Sequence, residues 1–392
     1  MISRQELSCL KFIEKNMNIL FFLCVSVFAF LIRYNGKDFI SGDMEFFLIP
    51  WFGQIADNGG LHALKQQVGD YNLLYQTIIG IFTYIGNDCI VYYKSLSIFF
   101  DYTLALSSAF LVSELTDKKL FGKRFLMTYA AVLFVPTVVL NSAYWGQCDS
   151  IYVCFIIISL LCMFRENYIR SFVFLGIAFA FKLQTFFIIP FFIYVYMRKK
   201  KFSISMFGIT IGTFWLSGLG GFLSGRSLLE PFKIYLSQTN TYENMNLDIY
   251  NIWTILGGQY SEYKMFAIIL AISVCGMGLY YFLSTDQTYQ GNQSYVCIAA
   301  WFTWTCIFFL PAMHERYTYL TDILLVILSA MDDRKIKYAV ISVVLSCVTY
   351  SSYLNSQGEI SQNLAVVGVL IYFGFTWECI KSTLQPVKQQ EK

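Results

Sequence analysis

Apolar runs recur along this chain near residues 17–33, 89–113, 125–142, 150–164, 171–182, 184–197, 203–223, 264–283, 294–310, 317–331, 337–354 and 363–380. Between them lie only short polar stretches and two longer ones. A helix needs about 20 apolar residues to cross a bilayer. In lipid every backbone N–H and C=O must be satisfied internally, so the runs read as helices. Charged residues make up 14% of the chain, against about a quarter in an ordinary globular protein. With 57% hydrophobic residues, there is too little polar side chain to cover a soluble surface. The net charge of +3 is too small for a nucleic-acid footprint. The fold class expected is an all-α polytopic membrane protein with about twelve transmembrane helices, held in the lipid bilayer of the cell membrane and binding no nucleic acid.

The run at 73–85 is too short to cross a hydrocarbon core of roughly 30 Å. Treating it as interfacial or re-entrant puts Lys11, Lys15, Lys118, Lys119, Lys123, Arg124, Arg165, Arg170, Arg198, Lys201, Arg334, Lys337 and Lys388 on the cytoplasmic side, as the positive-inside bias requires. Both termini are then cytoplasmic, and the first apolar run, without a small-residue cleavage site after it, reads as a span and not a cleaved signal. The whole chain, 1–392, is expected to be one integral membrane domain with two large extracytoplasmic loops, 34–88 and 224–262. Within the first, the aromatic stretch Met44–Asp57 reads as a helix lying in the interface, ended by Asn58-Gly59-Gly60. The cysteines in apolar runs, with no CxxC pairing, read as small hydrophobes.

Ionisable groups near membrane depth are costly unless paired, so each asks for a reason. Four clusters fall on the expected outer side. Ser41-Gly42-Asp43-Met44-Glu45 offers a carboxylate that is either a helix N-cap or a general base or metal ligand. Tyr144-Trp145-Gly146-Gln147-Cys148-Asp149 is either an aromatic belt with a cap or a dense set of hydrogen-bonding groups. Phe181-Lys182-Leu183-Gln184 is the apex of a short hairpin, its ammonium snorkelling or facing a phosphate. Met313-His314-Glu315-Arg316-Tyr317 places an arginine where the charge bias disfavours one, and a bound anion would explain it. Asn251, after the second loop, either lines the site or anchors the next helix, while Lys94 and Asp101, on one face of one helix, read as structural.

Carboxylates to deprotonate a hydroxyl, beside cations to receive a phosphate that gains charge as it leaves, suit group transfer from a phosphate carrier to an alcohol. The chain has no P-loop or other glycine-rich nucleotide motif, so a membrane-embedded carrier fits better than a nucleotide.

These four motifs, in this order over residues 40 to 330, resemble the GT-C superfamily of membrane glycosyltransferases, and within it the bacterial relatives of the GPI mannosyltransferases. The resemblance implies a polyprenyl-phosphate-linked sugar as donor, a cell-envelope glycan or lipid-linked acceptor, an active site facing outside, and inversion in a single displacement. It maps the catalytic base to Asp43, the donor phosphate to Arg316, His314 and Lys182, and sugar or acceptor hydroxyls to Asp149, Gln147, Gln184 and Trp145. Glu45, Glu315 and Asn251 would support the site. Some members hold a divalent metal on a DxD motif; Asp43-Met44-Glu45 departs from it, which leaves a metal on Asp43 and Glu45 open. The last two apolar runs carry no part of the likeness.

Two rivals remain. A polysaccharide polymerase would use arginine-rich outer loops, and the outer arginines here are few, Arg226 and Arg316. A transporter or flippase of lipid-linked sugars would show inverted repeats and charges near the midplane, and the chain shows no repeat of the 34–88 loop.

Overall fold

A computed structural model describes residues 2–239, 241–285, 291–355 and 361–384; the expected cytoplasmic Lys388 lies outside the described residues. The chain is about 78% helical. In order, the helices are α1 (Arg4–Tyr34), α2 (Ile49–Asp57), α3 (Leu73–Phe82), α4 (Cys89–Leu115), α5 (Lys123–Phe134), α6 (Pro136–Val139), α7 (Asp149–Phe164), α8 (Tyr168–Phe181), α9 (Ile189–Lys199), α10 (Met206–Leu216), α11 (Leu219–Leu223), α12 (Glu230–Gln238), α13 (Ile252–Leu256), α14 (Tyr260–Ser284), α15 (Asn292–Phe309), α16 (Tyr319–Met331), α17 (Ile336–Leu354) and α18 (Gln362–Leu384). Two short strands, β1 (Asn246–Leu247) and β2 (Met313–His314), pair in parallel.

Among the described residues, five helices are long and apolar enough to cross a membrane: α1, α4, α14, α17 with the turn before it, and α18. A sixth is counted if α5 and Pro136–Trp145, bent by 53° at their junction, make one span. The other expected spans fall on helices that are broken, short or enclosed, for local reasons. Pro136 lacks the N–H that would continue α5. Lys182 is extended (φ −149°, ψ 137°) and stops α8, and Pro190 restarts the chain in the first turn of α9. Helix α15 is buried along nearly its whole length, packed by α14, α16 and α18. The expected non-spanning run is α3, ten residues long, or about 15 Å at 1.5 Å per residue. Helix α2 ends where the sequence predicts, at Asn58, with Gly59 in the left-handed region (φ 82°).

Buried ion pairs lock the helices that carry the site. Asp101 on α4 accepts from Arg33 Nε at 2.8 Å and from Ser142 Oγ at 2.5 Å. Arg33 also donates to the carbonyls of Ala29 at 3.1 Å and Leu133 at 3.0 Å. One carboxylate thus ties α1, α4 and the Leu140–Trp145 turn together, as a structural reading of Asp101 expects. Lys94 donates to the carbonyls of Gly36 and Phe39, each at 2.5 Å, holding the chain that leaves α1. Helix α7 packs against both α4 and α8. Cys297 on α15 and Cys379 on α18 form a disulfide, Cα to Cα 6.0 Å. This corrects the expectation that the cysteines only pack; their 82-residue separation leaves no spacing signal in the sequence.

Candidate active site

Two π-helical turns begin the site. Met44–Leu48 follows Ser41-Gly42-Asp43, and Leu140–Trp145 precedes Gly146-Gln147-Cys148-Asp149. Such turns rotate the chain relative to an α-helix and recur at functional sites. The second closes on Gly146 at φ +76°, with Gln147 N–H donating to the Asn141 carbonyl at 2.9 Å. A Cβ on Gly146 would lie 2.7 Å from Met44 Sδ, so the two segments meet only because this residue is glycine. Ser41 Oγ donates to the Trp145 carbonyl at 2.8 Å and accepts from Met44 N–H at 3.2 Å. That sews the first motif to the second.

The Asp43 carboxylate is the hub. Its Oδ2 accepts from Trp145 Nε1 at 2.8 Å and from Gln147 Nε2 at 2.5 Å, with Arg316 Nη1 at 3.5 Å. Its Oδ1 accepts from the Tyr353 hydroxyl. Asp43 is not the side-chain cap of the following turn, which has none; its oxygens face other segments. Gln147 Oε1 in turn accepts from the Tyr71 hydroxyl at 2.9 Å. Burial holds the Tyr71 phenol well above its ordinary value, so it stays a donor.

Asp149 forms a second node. Its Oδ1 takes Lys182 Nζ at 2.6 Å, and its Oδ2 takes Asn141 Nδ2 at 2.7 Å, with Arg316 Nε 3.8 Å away. Arg316 therefore lies between the two aspartates. Its Nη1 is 3.4 Å from Glu315 Oε1, and its guanidinium sits 5.5 Å from the Trp145 ring centroid. Burial works against the arginine's charge, but Glu315, Asp43 and Asp149 outweigh it and hold the guanidinium well above its ordinary value. His314 Nδ1 lies 3.6 Å from Glu315 Oε2, and its ring packs 4.5 Å from that of Tyr242. The β1–β2 pair aligns Leu247 with His314.

The structure thus brings together Asp43, Trp145, Gln147, Asp149, Lys182, Glu315 and Arg316, with His314 at one edge. Gln184 is half-buried and lies near the Tyr317 phenol, whose ring is 5.1 Å from the His314 ring. Other expectations are corrected. Glu45 is exposed, and every polar contact of Asp43 is with a donor, so Asp43 and Glu45 do not fit a metal. Among the described residues no group of three or more His, Cys, Asp or Glu could hold one. Asn251 does not line the site; its Oδ1 caps α13 by accepting from Trp253 and Thr254 N–H at 3.0 and 3.3 Å. Lys182, expected on a phosphate, has a carboxylate partner, and Asp149 and Gln147, expected on sugar hydroxyls, are engaged by side chains. Tyr353 and Asn141 are site residues that the motifs do not include. Tyr353 lies in the penultimate apolar run, where a tyrosine near a helix end reads only as an interfacial anchor.

Compared with known protein families and with curated proteins, the chain matches none.

Proposed function

We propose that this protein is a membrane glycosyltransferase that moves a sugar from a polyprenyl-phosphate carrier to a hydroxyl of a cell-envelope glycan or lipid-linked acceptor. The observation that carries the reading is the meeting of Asp43 and Arg316 across 273 residues of chain, at a point where each also faces polar groups from other segments. Asp43 takes the proton of the acceptor hydroxyl as its oxygen bonds to the anomeric carbon. The bond from that carbon to the phosphate oxygen breaks, and the electron pair leaves with the carrier phosphate toward Arg316. Attack opposite to departure inverts the anomeric centre.

The charges bear on the roles. Asp43, Asp149 and Glu315 set three carboxylates against the basic side chains of Lys182 and Arg316. An ammonium already held at 2.6 Å by a buried carboxylate is a poor phosphate ligand, so in this reading Lys182 positions Asp149. Arg316 is the phosphate's partner: its buried Nε has no hydrogen-bond acceptor, and a guanidinium fork matches phosphate oxygens. The reading also takes about twelve crossings, some by short or bent helices, with both termini cytoplasmic and the site outward.

Mass spectrometry of envelope glycans and lipid-linked sugars from wild-type, Asp43→Asn and deletion strains tests this. A sugar missing from the glycan, with its polyprenyl-phosphate donor accumulating, supports a transferase. An intact glycan that reaches the surface in smaller amount overturns the reading in favour of a transporter.

A further inference from the structure

Among the described residues that contact Asp43, Tyr353 is the most exposed. It is 37% exposed, while Asp43 is 8% and Trp145 0% exposed. Its phenol donates to Asp43 Oδ1. Its ring stacks on Trp145 with centroids 4.5 Å apart and planes 18° from parallel. The contacts are of unequal kind. On Oδ2 the donors are the side chains of Trp145 and Gln147, both from the buried segment that Asn141, Ser41 and Gly146 hold in place, with Arg316 Nη1 at 3.5 Å. On Oδ1 the partner is a hydroxyl on a ring at the last turn of α17, the outermost layer over the carboxylate.

We propose that Tyr353 is a gate whose hydroxyl occupies the position of the attacking hydroxyl and whose ring occupies the position of the acceptor's sugar ring. The proposal rests on the transferase reading for the identity of what displaces it. A general base must accept a hydrogen bond from the hydroxyl it deprotonates, and Oδ2 is committed to Trp145 and Gln147. Oδ1 is the oxygen left for an acceptor, and the group now on it is an O–H donor, as an alcohol is. The face of an indole is likewise a common seat for the apolar C–H face of a sugar ring. A tyrosine, with a hydroxyl on a flat ring, satisfies both positions at once. On acceptor entry Tyr353 swings off Trp145, exchanging one O–H donor on Oδ1 for another. No proton is transferred from Tyr353. The resting protein thereby keeps water off the base until an acceptor replaces the tyrosine, which guards a lipid-linked sugar against hydrolysis.

Two readouts test the gate, one of them independent of transfer. The first is the rate at which a water-soluble carbodiimide with glycine ethyl ester labels Asp43, followed by peptide mass spectrometry on the purified full chain. Tyr353→Phe should raise labelling of Asp43 about tenfold or more, and Tyr353→Ala further, because a hydrogen bond to a charged group is among the stronger ones. Labelling of Asp149, which is held by Lys182 and Asn141, should not change. Unchanged labelling of Asp43 overturns the gate; so does a parallel rise at Asp149, which would make Tyr353 a general prop. The second readout complements a deletion strain from a weak promoter. Tyr353→Phe should restore more of the missing sugar per copy of protein than wild type, while Tyr353→Ala should release free sugar from the carrier. Loss of glycan in Tyr353→Phe, with Asp43 more labelled, would mean that Tyr353 orients the base, and overturns the proposal. If deletion changes no glycan, the transferase reading fails, and the gate stands or falls on the labelling alone.

Discussion

Lys182 and Asp149 form a buried ion pair, Nζ to Oδ1 2.6 Å, with side chains 7% and 1% exposed. The lysine sits in the extended residue that ends α8, and the aspartate opens α7. The pair therefore locks the helix hairpin to the turn that carries Trp145 and Gln147, and it leaves Asp149 Oδ2 for Asn141 and, at 3.8 Å, Arg316.

Removing one partner strands a charge in a dry site. Lys182→Met should destabilise the protein by about 3–5 kcal/mol, and the Lys182→Met/Asp149→Asn double variant should recover much of that loss. Thermal unfolding in detergent measures both. Equal melting of wild type and Lys182→Met would show that the pair contributes nothing to stability.

Asp43→Asn keeps the size of the side chain and a carbonyl oxygen for Trp145 while removing the base. Transfer should fall by about 100-fold or more with the melting temperature close to wild type. Transfer at the wild-type level in a folded Asp43→Asn protein would remove Asp43 from the chemistry.

Arg316→Lys keeps a charge between Asp43 and Asp149 but loses the planar fork. The donor KM should rise about tenfold or more, with the acceptor KM little changed, because the lost hydrogen bonds are to the phosphate. Arg316→Ala should lower turnover as well. Steady-state kinetics with both substrates varied would separate these, and a rise confined to the acceptor KM would reassign the arginine.

Gly146→Ala tests the junction of the two π-helical turns. An alanine at φ +76° with its Cβ 2.7 Å from Met44 Sδ should cost about 1–3 kcal/mol in backbone strain, and more if Met44 does not yield. Met44→Ala should relieve the contact but not the φ strain, so the double variant should recover only in part. Melting curves of the three proteins measure it.

The local devices were legible in the residues themselves. The apolar runs predict the helices, Asn58-Gly59 the end of α2, the shortness of 73–85 a helix too brief to cross, and the four polar motifs the segments from which the site is assembled. Each of these depends on neighbours within a turn or two: a cap, a proline without its N–H, a glycine free to take positive φ. What only the tertiary structure decided is which groups face one another. Asp43 meets Arg316 and Tyr353 from 273 and 310 residues away, Arg33 meets Asp101 across 68, and Lys182 finds Asp149 where a phosphate was expected. Helix packing sets these contacts, because a buried charge takes the nearest opposite charge or donor that packing supplies, and sequence spacing carries no record of that choice.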